Sequence, residues 1–158
     1  YLKHQFPQIR CIGLEVSPVS VELSRRLASK FGLEVDFYPC NVCAPLPADL
    51  KPQRAELVFS CFALEMMPRI FRQGLHNMGQ LSTGHIVLIE PIPELWPWNL
   101  RGWISRLRVL ALDRLRGAMP VLKSWAGSSS WSIESAVRLK TAHHPLNEGC
   151  EVHLTRRH

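Results

Sequence analysis

The sequence predicts an α/β domain, on three observations. Short apolar runs recur four times between residues 9 and 90, and the first and last of them end in a carboxylate. Segments with apolar residues at helical spacing, or loops broken by proline and glycine, lie between them. Such alternation makes parallel strands joined by right-handed crossovers, because a long crossover is needed to return the chain in the same direction.

At the start, Tyr1, Leu2 and Phe6 suit the last turns of a helix already under way, so the chain is expected to begin inside a longer domain. The first run, IRCIGLEVS over residues 9–17, ends at Glu15. Pro18 suits a first helical turn, Val21, Leu23, Leu27, Ala28 and Phe31 recur at helical spacing, and Gly32 closes the helix. Residues 33–42, with VDFYPCNV, read as the next strand, followed by a proline-broken loop over 43–52. AELVFSCFA over 55–63 is the near-continuous apolar run of a parallel strand covered on both faces.

Pro68 interrupts, and Phe71, Leu75, Met78 and Leu81 then mark an amphipathic helix expected to end in a Ser82-Thr83-Gly84 turn. HIVLIE over 85–90 is the fourth run. After Pro91 the chain turns rich in proline and tryptophan. Leu100, Trp103, Ile104, Leu107, Leu110, Ala111 and Leu115 then share one helix face, with arginines on the other. Residues 117–131, with Pro120, Gly127 and three consecutive serines, are expected to form a mobile loop. Residues 132–158 suggest a helical turn or two and then two strand pieces about an Asn147-Glu148-Gly149 turn, the last strand being antiparallel. No internal repeat is visible.

With 158 residues, 46% of them hydrophobic, the chain supports one domain with a substantial core. Residues 1–158 are read as that single domain, with 92–131 an insertion or lid. No apolar run approaches the roughly 20 residues that cross a bilayer, so a cytoplasmic protein is expected. The formal charge is +6, but the basic residues are scattered, and nucleic acid is not the expected partner. Five cysteines, an odd number and mostly inside apolar runs, fit a reducing compartment. Cys40 and Cys43 have the spacing of half a zinc site, but no second pair matches it, and no metal is expected.

Chemistry enters first at Glu15. One acidic group at the carboxyl end of a strand, in a βα repeat, is how open α/β folds grip the two ribose hydroxyls of an adenosine cofactor. Each carboxylate oxygen accepts one hydroxyl hydrogen bond. A solvated turn carboxylate is the alternative reading of the same residue.

Four segments in order carry a resemblance: Glu15 in GLEVSP, then Cys40-Asn41-Val42, then Glu56-Leu57-Val58-Phe59-Ser60 with Leu64-Glu65, then GHIVLIEP over 84–91. Together they resemble the class I S-adenosylmethionine-dependent methyltransferases over nearly the whole chain. The resemblance implies a Rossmann-like, doubly wound, mostly parallel sheet with an antiparallel C-terminal strand, truncated at its N-terminus. It implies S-adenosyl-L-methionine as cofactor, bound by Glu15, Val16, Ser17, Asn41, Val42, Ser60 and Cys61, with Glu15 on the ribose and Asn41 and Val42 at the adenine. Asn41 replaces the usual aspartate and Met66 the histidine often found next.

The family's central first strand and its glycine-rich turn would precede Tyr1. Two strand blocks are therefore expected to flank a missing middle, and the chain as given is expected to bind cofactor poorly. For the full-length parent the resemblance implies methyl transfer to oxygen or nitrogen of a small-molecule acceptor. A non-catalytic relative serving as a binding or partner subunit is the alternative.

No catalytic residue is assigned. The candidates are Glu65 and Glu94, just past strand ends, and His85, His143 and His144, each of which reads more readily as a surface or capping group. The helix beginning near Trp98 suits a lid, a subunit contact or peripheral contact with a membrane.

Overall fold

The computed structural model describes residues 2–67, 71–111, 117–139 and 149–157. It opens with α1 (Leu2–Gln5), β1 (Cys11–Glu15), α2 (Pro18–Lys30), β2 (Val35–Pro39) and β3 (Ala55–Cys61). α3 (Phe71–Leu81), β4 (Ser82–Glu90), α4 (Leu100–Ala111), α5 (Ala118–Gly127), β5 (Trp131–Arg138) and β6 (Cys150–Arg156) follow. Single 3-10 turns span Leu64–Met66 and Pro93–Leu95.

The strands form two sheets. β1 pairs in parallel with β2, and the second sheet runs β3-β4-β6-β5. There β3 and β4 are parallel, whereas β6 is antiparallel to both β4 and β5. Among the described residues β1 and β3 each pair on one edge only. The two-block layout and the antiparallel last strand are thus as the sequence predicts.

Local chemistry sets the boundaries of α2. The Ser17 hydroxyl accepts from the Ser20 N–H (3.3 Å), Pro18 stands in the first turn, and Gly32 takes φ +62° so that Leu33 N–H returns to the Ala28 carbonyl (2.8 Å). On β4 alternation does the same work. Ile86 and Leu88 are fully buried and face the main core with Val152 and Leu154 of β6, while α3 and α5 cover them through Leu75, Met78, Leu122 and Trp125. A second cluster of Cys40, Leu46, Leu50 and Leu81, packed on Leu14, Tyr38 and Val58, joins β1 and β2 to β3.

Four expectations are corrected. Residues 118–127 form helix α5 rather than a mobile loop. Pro120 sits in its first turn, where the missing N–H costs nothing, and Ala118, Met119, Leu122, Trp125 and Ala126 are buried at helical spacing. No turn follows α3, because Ser82 already pairs with Ala55 as β4 begins, and its hydroxyl donates to the His85 carbonyl (2.8 Å). β5 replaces the helical turns expected after Ser132, since pairing with β6 along its length outweighs local preference. β2 stops at Pro39, which ends the ladder before Asn41.

The expected turn at 147–149 falls outside the described residues except for Gly149, whose carbonyl accepts from Leu139 N–H (3.0 Å).

Candidate functional site

β1 carries Glu15 as its last residue, and the register sets it opposite Pro39, the last residue of β2. Its main-chain carbonyl accepts from Cys40 N–H (2.9 Å), so the segment after β2 starts beside it. One carboxylate oxygen, Oε1, accepts from Ser17 N–H at the head of α2 (3.0 Å). A carboxylate has about four lone-pair sites, so this bond leaves capacity for two hydroxyls. Val16 between them is exposed and Ser17 only partly so.

The turn after β2 is tied down by its own side chains. Asn41 Oδ1 accepts from Cys43 N–H (2.9 Å), a local turn that asparagine and aspartate both make. Asn77, buried on α3, donates from Nδ2 to the carbonyls of Val42 (2.7 Å) and Ala44 (2.6 Å), while Gln73 Nε2 donates to its Oδ1 (3.0 Å). Asn77 thus sets where Asn41 and Val42 stand. Asn77→Ala strands two carbonyls in a half-buried turn, an expected loss of about 2 kcal/mol in urea unfolding. Unchanged unfolding would show that the turn holds itself.

A third segment, residues 60–66 after β3, is fixed by Glu90, the fully buried last residue of β4. Its Oε1 accepts from the Ser60 hydroxyl (2.6 Å) and from the Ala63 and Leu64 N–H groups (both 3.1 Å), and its Oε2 accepts from Glu65 N–H (3.1 Å). Burial pushes the Glu90 pKa up, and the bonds from Ser60, Leu64, Ala63 and Glu65 pull against it. Phe62, with φ +51°, is the one non-glycine residue among those described that takes a positive φ, and its N–H donates to Ile89 (2.9 Å). The clamp holds that backbone in place.

The predicted residues therefore assemble unevenly. Glu15, Val16 and Ser17 lie at the end of β1, Asn41 and Val42 follow β2, and Ser60 and Cys61 close β3. Cys43 and Leu64 draw the second and third segments together, since a side chain at Gly74 would meet Cys43 Sγ (2.9 Å) and Leu64 Cδ2 (3.1 Å). Ser60 is buried with its hydroxyl committed to Glu90, and Cys61 is exposed with its thiol pKa raised by burial and by the Glu90 charge.

Of the catalytic candidates, Glu65 is buried at the carboxyl end of β3 and Glu94 is exposed in the turn after β4. His85 lies five residues before Glu90, about 17 Å back along the strand. There its Nδ1 meets His153 Nε2 (3.1 Å), and His153 Nδ1 meets Glu134 (3.2 Å). His85 belongs to the far end of the sheet. His143 and His144 lie outside the described residues.

Cys40 and Cys43 pack into separate apolar clusters, and burial raises both thiol pKa values. A cleft of about 560 Å³ lined by Arg10, Arg25, Glu34 and Asp36 opens at the amino ends of β1 and β2. Ligands of open α/β sheets bind at the carboxyl ends, so this cleft is not the candidate site.

Sequence reading missed Glu90 and Asn77. The only signal for Glu90 was an acid ending an apolar run, and for Asn77 an amide on a helix face that is otherwise apolar.

Solved structures resemble this fold. Magnesium protoporphyrin IX methyltransferase (ChlM) from Synechocystis with bound SAH superposes with a TM-score of 0.66 at 12% identity over 93% of this chain. The mitomycin 7-O-methyltransferase MmcR gives 0.71 at 17% over 98%, and the N-methyltransferase NodS from Bradyrhizobium japonicum gives 0.64 at 11% over 94%. The chain spans 64%, 44% and 74% of those three structures respectively. No protein-family model matches the sequence, and no curated protein matches it. The likeness shows the fold: a Rossmann-like class I methyltransferase architecture with its antiparallel strand.

Proposed function

We propose that this chain, having the class I methyltransferase fold, forms part of an enzyme that transfers a methyl group from S-adenosyl-L-methionine to oxygen or nitrogen of a small molecule. The observation that supports the proposal is that three segments, 15–17, 41–44 and 60–66, each follow the carboxyl end of a parallel strand, β1, β2 and β3, and are each pinned by side-chain hydrogen bonds. In this reading Glu15 takes the ribose hydroxyls. Asn41 and Val42 border the adenine, the Asn41 oxygen keeping a lone pair beyond the one given to Cys43. Residues 60 and 61 line the floor that Glu90 keeps rigid.

When bound, the cofactor supplies an electrophilic methyl group on a sulfonium, and the protein's task is to hold an acceptor lone pair in line with it and exclude water. Cys61 and Met66 present exposed side chains at this edge. One neighbour is named a magnesium protoporphyrin IX methyltransferase and another a mitomycin 7-O-methyltransferase. A flat or lipophilic acceptor suits the apolar side chains of the segment after β4, which include Trp96, Trp98 and Trp103.

We place acceptor choice in that segment, the lid expected over residues 92–131. α5 belongs to the framework, so the part free to differ is 92–111. Exchange of 92–111 for the equivalent of a related enzyme is expected to change acceptor preference at constant cofactor affinity; lost cofactor binding with preference unaltered would make it a structural support.

The proposal is tested on the full-length protein by following S-adenosylhomocysteine formation across candidate acceptors. Turnover supports it, while tight cofactor binding without turnover on any acceptor would favour a non-catalytic subunit.

A further inference from the structure

On the face of the four-stranded sheet turned away from the main core, three strands bring together two imidazoles and a carboxylate. His85 of β4 and His153 of β6 are half-buried, while their chain neighbours Ile86, Val152 and Leu154 are fully buried on the core face. The register sets His85 opposite Thr155 and His153 opposite Val87, so the two rings meet on the diagonal between adjacent antiparallel strands. His85 Nδ1 lies 3.1 Å from His153 Nε2, with the ring centroids 5.2 Å apart.

β5 supplies the third group through an irregularity. Its register on β6 shifts between Ile133 and Ser135, which leaves Glu134 out of the ladder. There Glu134 Oε2 lies 3.2 Å from His153 Nδ1. A neutral imidazole carries one N–H and one lone pair. With its proton on Nδ1, toward the carboxylate, His153 holds its lone pair on Nε2, toward His85.

Metal-binding histidines are held in this way, one ring nitrogen on the ion and the other on a carboxylate that fixes tautomer and ring orientation. Two nitrogens bound to one tetrahedral ion stand about 3.3 Å apart, so a shift of a few tenths of an ångström admits an ion between these rings. Solvent reaches them. The His153 side chain is 29% exposed and that of Glu134 55%.

We infer that His85 Nδ1 and His153 Nε2 form a two-nitrogen site for a late first-row divalent metal ion, with Glu134 as its positioning residue. Ligand type selects the ion. Imidazole suits Cu²⁺, Ni²⁺ and Zn²⁺, whereas Mg²⁺ and Ca²⁺ take oxygen shells that two rings do not offer. His85 frees its Nδ1 by carrying its proton on Nε2, so the neutral rings bind the ion with no change in proton count. Among the described residues no three His, Cys, Asp or Glu side chains converge on an ion, and water fills the remaining positions. The ion ties β4 to β6 at the end of the sheet away from Glu90, so the site does not depend on the cofactor reading.

The test is calorimetric titration of the untagged full-length protein with Ni²⁺, with Mg²⁺ as control and the thermal unfolding midpoint followed at each concentration. Saturable Ni²⁺ binding and a midpoint that climbs with Ni²⁺ are expected, and neither with Mg²⁺. Bound Cu²⁺ should show two directly ligated nitrogens in electron paramagnetic resonance. His85→Gln and His153→Gln, which each remove one ring nitrogen, should lose the binding and the midpoint rise. Glu134→Gln should weaken Ni²⁺ affinity about tenfold or more. His143→Ala with His144→Ala should change nothing. A cooperative unfolding transition without metal shows that each variant is folded, and Glu134→Gln, at an exposed position, tests the site even where a ring variant does not fold.

No saturable binding of Ni²⁺ or Cu²⁺, or an equal response to Mg²⁺, overturns the inference and leaves the rings a hydrogen-bonded pair. Binding kept by both ring variants, or lost with His143→Ala and His144→Ala, overturns it by placing the metal elsewhere. Equal Ni²⁺ affinity in Glu134→Gln and wild type overturns the role given to Glu134.

Discussion

Glu90→Ala is expected to lower unfolding free energy by at least about 3 kcal/mol, a large share of the roughly 5–15 kcal/mol that holds a domain together. The reason is arithmetic of donors. Removing one carboxylate strands the Leu64 and Glu65 N–H groups and the Ser60 hydroxyl, all three on buried residues, together with the part-buried N–H of Ala63. Each unpaired buried donor costs about 1–3 kcal/mol, reduced by whatever relaxation lets water in. Glu90→Gln should cost less, because an amide oxygen replaces Oε1 while its NH₂ is set against the Glu65 N–H.

The same pair of variants reads the protonation of Glu90. Its folded pKa lies above the unfolded value, since burial outweighs the hydrogen bonds. Over the pH range just above the ordinary carboxylate value the folded chain keeps a proton that the unfolded chain has lost. Stability contributed by this group is therefore present at lower pH and is lost as pH rises through the folded pKa. Urea unfolding at a series of pH values checks this, and Glu90→Gln should remove that component of the slope. A slope identical in wild type and Glu90→Gln would mean that Glu90 does not titrate there.

Glu15→Ala is expected to have the largest effect on binding, weakening S-adenosylhomocysteine affinity of the full-length protein by about a hundredfold in calorimetry. Two hydrogen bonds to a charged acceptor are worth about 1.5 kcal/mol or more each. The fold should hardly notice, because the side chain's described bond is a single one from Ser17 N–H at a half-buried position. Affinity unchanged, with the variant folded, would reject the ribose assignment.

The place of Glu15 at the end of β1 was legible because strand, acid and helix start are contiguous: an apolar run, one carboxylate, then Pro18. Glu90 stood at the end of a comparable run, yet its role depends on backbone N–H groups some 25 residues earlier, as in its bond to Glu65. Backbone amides leave no mark in a sequence. Asn77 was hidden for the same reason, since its partners are carbonyls of a turn more than 30 residues away.

α5 was misread through its breakers. Pro120 and Gly127 fall at the two ends of the helix, where they are harmless, and burial of Leu122 and Trp125 decides the rest. For α4 the periodicity gave the stripe but not the side it faces, which the close pass of Gly102 over Pro97 fixes.

The most direct test of the central claim is a crystal structure of the full-length protein with S-adenosylhomocysteine. The account predicts the ribose hydroxyls on the Glu15 carboxylate and the adenine against Asn41 and Val42. Adenosine lodged in the cleft between Arg10, Arg25 and Asp36, or bound with Glu15 out of reach of its ribose, would contradict it.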